Sequence, residues 1–145
     1  MPPVDTIIVA DMLTALRGIR REDGYHHDVR RVVEGAVGFE SVGSFPTLAL
    51  QLLRDRVESQ PSHHRRRTLR FSVTGFVRPP SGMDRHGAAR ELIADVDRAL
   101  AADPTRGGAA VLTEITDHTI DTARHESGAR VQCVVQVVAH DSIGI

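Results

Sequence analysis

A chain of 145 residues with 41% apolar side chains can bury one domain's core, and a formal charge of −1 excludes a global field acting on nucleic acid or a membrane. All 18 basic residues are arginine, which fits a GC-rich coding sequence and excludes a Schiff-base lysine or a P-loop lysine. One tyrosine, four phenylalanines and no tryptophan are too few for a base-stacking platform, so the core falls to Val, Leu, Ile and Ala.

In chain order, Val4 to Ile19 predicts a helix, because Ile8, Met12, Leu16 and Ile19 recur at helical spacing on one face. Pro2 and Pro3 precede it, Asp5 suits its first turn, and Asp23-Gly24 marks the turn beyond. Val29 to Val33 is a short extended piece, and Gly35, Gly38 and Gly43 make 34–45 a turn-rich connection. Behind Pro46, Leu48, Leu50 and Leu52 alternate as in a strand with one covered face. Asp55 to Arg67 is polar and reads as an exposed loop or hairpin tip.

From Thr68 to Arg78 the alternation is clean, with Leu69, Phe71, Val73 and Val77 on one face and Thr68, Arg70, Ser72 and Thr74 on the other. That is a half-buried antiparallel strand. A second amphipathic helix runs from about Asp84 to Ala102, with Ala88, Leu92, Val96 and Leu100 as its stripe and Ser81 to Asp84 at capping-box spacing. Ala110 to Thr116 predicts a strand, 118–126 an edge strand or arm, and Ala129 to Ala139 a strand with Val131, Cys133, Val135 and Val137 on one face. The fold class expected is α+β: a mostly antiparallel sheet with two helices packed on one face, in a single domain spanning 1–145.

The N-terminal segment lacks the basic region of a signal peptide, and no apolar stretch approaches the ~20 residues of a membrane span. A chain made in the cytoplasm, with no membrane partner, is expected. The single cysteine, Cys133, sits in an apolar run and is expected to be a small buried hydrophobe.

Searches for catalytic patterns return little. There is no HExxH, nucleophile elbow, dinucleotide fingerprint or P-loop. Asp95 and Asp97 are two apart on a helix and diverge. The histidines are expected mostly in loops and strand ends, as solvated or interface groups. One enzymatic alternative stays open: a metal-dependent hydrolase using His26, Asp28 and one of His63 and His64. The dense basic cluster of Arg65, Arg66, Arg67 and Arg70, with His63 and His64 beside it, reads either as a solubilising loop tip or as a contact with nucleic acid or an acidic protein surface, and these residues are interface candidates. Asp121 and Arg124 in the polar segment are further interface candidates.

The order of these pieces resembles the tail terminator (tail completion) proteins of long-tailed bacteriophages and related tail-like particles. The resemblance runs from the opening helix ending Leu16-Arg17-Gly18-Ile19, through Asp23-Gly24-Tyr25, Asp28-Val29, Val32 and Gly35, to Phe45-Pro46 and the strand Leu48 to Leu52. It continues through the strand Leu69 to Val77, the helix with Ala88-Ala89, Leu92-Ile93, Asp95-Val96 and Ala99-Leu100, then Asp103-Pro104 and Gly107-Gly108, to the valine strand 131–138. What it implies is a non-enzymatic virion protein without cofactor, metal or catalytic residue. Its subunits form a ring, most often of six, that caps the head-proximal end of the tail tube. The ring ends tube polymerisation and presents a surface to the head connector or stopper. DNA passes through its lumen without sequence-specific binding, and assembly takes place in the host cytoplasm. Another neck component, such as a head completion or stopper protein, is the neighbouring alternative. In this setting 55–67 is a protruding loop and 118–126 an inter-subunit arm.

Overall fold

A computed structural model describes residues 2–59, 64–79, 84–122 and 128–142. The period-2 alternation of the middle and end of the chain becomes one five-stranded sheet. Its strands are β1 (Arg31–Glu34), β2 (Thr47–Ser59), β3 (His64–Val77), β4 (Leu112–Asp121) and β5 (Ala129–Ser142), in the spatial order β1-β2-β3-β5-β4. All pairings are antiparallel except β1 with β2. Helices α1 (Val4–Arg17) and α2 (Arg85–Ala101) both lie on one face, so the α+β layout holds.

The core forms where the two periodicities meet. Ile8, Met12 and Leu16 of α1, and Leu92, Val96 and Leu100 of α2, pack on Leu48, Leu50, Leu69, Phe71, Val73, Val131, Cys133, Val135 and Val137, all of them buried. Gly75 permits a close approach of α2 to the sheet, since a Cβ there would stand 2.8 Å from both Leu92 and Val131. Cys133 is fully buried as expected.

Boundaries move for local reasons. α1 stops at Arg17, because the Gly18 amide already turns back to the carbonyls of Thr14 and Ala15. Asp84 is itself the N-cap of α2, its Oδ1 accepting from the His86 amide at 2.9 Å, while Ser81 lies outside the described residues. The polar stretch 55–67 resolves in favour of the hairpin: β2 runs to Ser59 and β3 begins at His64, with 60–63 outside the described residues. Leu53 is the extra residue of a bulge in this hairpin, since Leu52 faces Phe71 and Arg54 faces Arg70. The expected strand at 110–116 and the start of the expected arm at 118–126 are one strand, β4, interrupted by a second bulge at Thr116; residues 123–127 lie outside the described residues.

The parallel pairing of β1 and β2 requires a crossover, and 35–46 supplies it over the face opposite the helices. Phe39 packs edge-on against Phe76 with ring centroids 5.7 Å apart and against Phe45 at 5.5 Å. This small aromatic cluster explains why Phe76 is buried although it alternates away from the helix-facing core.

Candidate assembly interface

β1 covers only the first part of β2, with Arg31 to Glu34 paired to Thr47 to Leu50. Beyond that point Gln51 to Ser59 are all exposed and, among the described residues, pair as strand on one flank only, with β3. At ~3.3 Å per residue this is an open edge about 30 Å long. It carries the apolar side chains Leu52, Leu53 and Val57, with Leu53 47% exposed. The opposite edge of the sheet is β4, ten residues long, and Val111 and Leu112 are exposed at its start. Open edges with apolar side chains are templates for another chain, and natural monomers ordinarily blunt them. The sheet therefore ends on both sides in surfaces of similar length that lack a partner strand among the described residues.

Strand alternation takes the basic run apart. Arg65 and Arg67 point to the helix side, Arg66 and Arg70 to the other. Arg67 is 8% exposed and bonds Asp55 through Nε at 3.2 Å and through a second, shorter contact. It also reaches Asp141 at 3.2 Å and Asp5 at 3.7 Å. Arg65 grips Asp141 with two parallel bonds of 3.0 and 2.8 Å. Bonding to Arg65 and then Arg67 holds the Asp141 carboxyl below its usual range, while bonding to Asp55 holds the Arg67 proton more tightly. These two arginines are thus an internal clamp joining α1, the β2–β3 hairpin and the end of β5. The expected basic patch loses them.

Arg66 and Arg70 do lie exposed on the outer face. Arg70 stands directly opposite Arg54, a like-charge juxtaposition that costs stability in an isolated sheet. Arg66 is flanked by Glu58 and His140 in register, and His64 opens β3 opposite Ser142. Asp121 ends β4 opposite Arg130. His63 and Arg124 lie outside the described residues.

The Gly24–Asp28 corner is held by its backbone. Gly24 adopts φ 91°, and Asp28 Oδ1 accepts from the Arg21 amide at 2.8 Å. The amides of His26 and His27 each donate to Asp95 of α2 at 2.9 Å. The Tyr25 ring lies under the Arg98 guanidinium, 4.6 Å away. Contrary to the expectation of a solvated loop, His27 is buried, its Nε2 3.2 Å from the Ala88 carbonyl. Asp28 lines a cleft of about 230 Å³ together with His27, Arg30, Arg78, Glu91 and Val77. His64 is at the other end of β3 from Val77, about 40 Å along the strand. The described members of the hydrolase alternative are therefore not brought together.

Two structural residues were not anticipated. Asp95 is 1% exposed and stands at core spacing from Leu92 and Ala99, which was its available signal. Arg106 is buried after α2, bonds the carbonyls of Leu100 and Asp103, and approaches Asp11 at 3.4 Å. Burial lowers its proton affinity, opposed by Asp11 and Asp103.

No protein-family model matches the sequence, and no curated protein matches it. Among solved structures, a chain of a particle described as "Virion of native gene transfer agent (GTA) particle" is similar over 95% of this chain and 92% of that one, at 12% identity and a TM-score of 0.40. A likeness of this degree assigns neither a family nor a role.

Proposed function

We propose that the protein is a ring-forming structural subunit of a phage-like particle, of the tail-terminator kind, and that its role is assembly rather than catalysis. The observation that carries the proposal is the pair of open sheet edges, Gln51–Ser59 on one side and β4 on the other, each with exposed apolar side chains. Two different edges on opposite sides make a head-to-tail contact, which closes into a ring when the rotation per subunit allows. β4 of one copy continues the sheet of the next by adding beside β2, with Leu53 and Val57 meeting Val111 and Leu112. The order of sequence motifs supports the terminator reading over other ring proteins. In that reading one rim of the ring meets the tail tube and the other meets the connector or stopper. Arg54, Arg66 and Arg70 then supply a basic surface compatible with a passing phosphate backbone.

The test uses Leu53→Asp and Leu112→Asp. Both positions are exposed in the single chain, so each variant keeps its fold and thermal transition. Each is expected to weaken self-association by at least roughly 30-fold per contact, about 2 kcal/mol for a carboxylate forced into an apolar seam. Sedimentation reads the shift. Self-association unchanged in both variants contradicts the edge-to-edge model. Rings that form but fail to end tail-tube growth in reconstitution point instead to another neck component.

A further inference from the structure

The bulge at Thr116 has a chemical consequence. Continued without it, the register from Ile115 opposite Val135 would set His118 opposite Gln132, on the face away from the helices. The extra residue instead sets His118 opposite Cys133, on the helix side. There it meets Asp97 of α2, its Nε2 lying 3.0 Å from Oδ1 and 2.9 Å from Oδ2. The Cys133 sulfur belongs to the same group: one donor atom each from Asp97, His118 and Cys133 lie within 4.8 Å of one another. Three elements distant in sequence thus converge a carboxylate, an imidazole and a thiol.

From this convergence we infer that Asp97, His118 and Cys133 form a binding site for a zinc-class transition-metal ion, pinning α2 to the edge strand β4. The donor set is that of a borderline-soft cation; a thiol rules against magnesium and calcium, which take oxygen. Tetrahedral zinc with ~2.0 Å bonds to nitrogen and oxygen and ~2.3 Å to sulfur needs its donors roughly 3.3–3.5 Å apart, so the sulfur closes on the other two by at most about 1.3 Å while His118 and Asp97 part by a few tenths of an ångström. Access is from one side, because Asp97 and His118 reach solvent while Cys133 forms the floor. On binding, the Cys133 S–H bond breaks, its proton leaves to solvent, and the sulfur's electron pair forms the bond to the metal. His118 binds through the Nε2 lone pair with its proton on Nδ1, and a water fills the fourth position. The same residues without metal make only a His–Asp hydrogen bond above a buried thiol, so binding itself is the discriminating property.

The experiment titrates the chelator-treated full chain with Zn²⁺ alone, in competition with a chromophoric chelator, and repeats it with Co²⁺. One ion per chain is expected. His118→Ala, at an exposed position that leaves the fold intact, and Cys133→Ala are each expected to weaken binding by roughly 100-fold. The Co²⁺ form is expected to show a thiolate-to-metal charge-transfer band in the near ultraviolet, absent in Cys133→Ala. Three results overturn the inference. They are no stoichiometric binding, binding that survives His118→Ala at full affinity and so belongs to histidines elsewhere, and a Co²⁺ adduct without the thiolate band.

Discussion

Asp95→Ala is expected to destabilise the protein by about 3 kcal/mol, because one buried carboxylate satisfies two main-chain amides. Hydrogen bonds to a charged group contribute roughly 1.5–3 kcal/mol each, and truncation leaves the donors unpaired as well. The His27 amide is buried, whereas the His26 amide is partly covered. Asp95→Asn recovers only part of the loss, since its amide group offers one acceptor and turns a donor toward the second N–H. In urea unfolding the midpoint falls while the slope is unchanged. For a chain of this size the melting temperature drops by roughly 6–12 °C. A midpoint equal to that of the unaltered protein removes Asp95 from the account of how the Gly24–Asp28 corner is fixed to α2.

The second large effect belongs to Arg67. Removing one partner from a buried ion pair costs roughly 3–5 kcal/mol. Here solvent reaches Asp5, Asp55 and Asp141 from one side, which reduces the expected loss for Arg67→Ala to about 2–3 kcal/mol. The pH dependence follows from Asp141. The Asp141 carboxyl is held below its usual range when folded, by Arg65 first and then Arg67. A lowered folded value contributes stability above the unfolded value of about 3.9, and that contribution is lost as pH falls through the folded value. The unaltered protein therefore keeps the clamp's stability from neutral pH down to about pH 4 and loses it below. In Arg67→Ala the three carboxylates no longer share a cation. The variant's deficit is largest at neutral pH and shrinks as the Asp141 carboxyl protonates. Denaturant midpoints at neutral and acidic pH measure this directly, and a deficit that is constant with pH contradicts the clamp.

Both residues illustrate where the sequence is readable. The faces of β3 and β5 follow from alternation, and the helix stripes follow from spacing, because burial of apolar side chains has a period that composition cannot hide. Bulges break that period. Thr116 splits one strand into two apparent segments, and the polar residues from Asp55 to Arg67 read as a loop or hairpin tip although main-chain pairing carries β2 on to Ser59 and starts β3 at His64. Alternation also splits an adjacent arginine run between two faces, so Arg65 and Arg67 meet Asp141, Asp55 and Asp5, far from them in sequence. The parallel β1 was legible as extended but not as paired, since four half-exposed residues carry no register signal.

The open edges were not legible either, because an edge is defined by which strands lie beside it. They are also what sets this sheet apart from one that is complete by itself. β1 ends at Glu34 and leaves nine residues of β2 without a neighbour on that flank among the described residues, while β4 ends the other side with Val111 and Leu112 exposed. Single-particle imaging of the purified, self-associated chain tests the assembly account most directly. Closed rings of identical subunits, six by the terminator resemblance, with β4 of each copy lying against Gln51–Ser59 of the next, are the predicted result. Monomers alone, or copies joined through surfaces that leave both edges uncovered, contradict it.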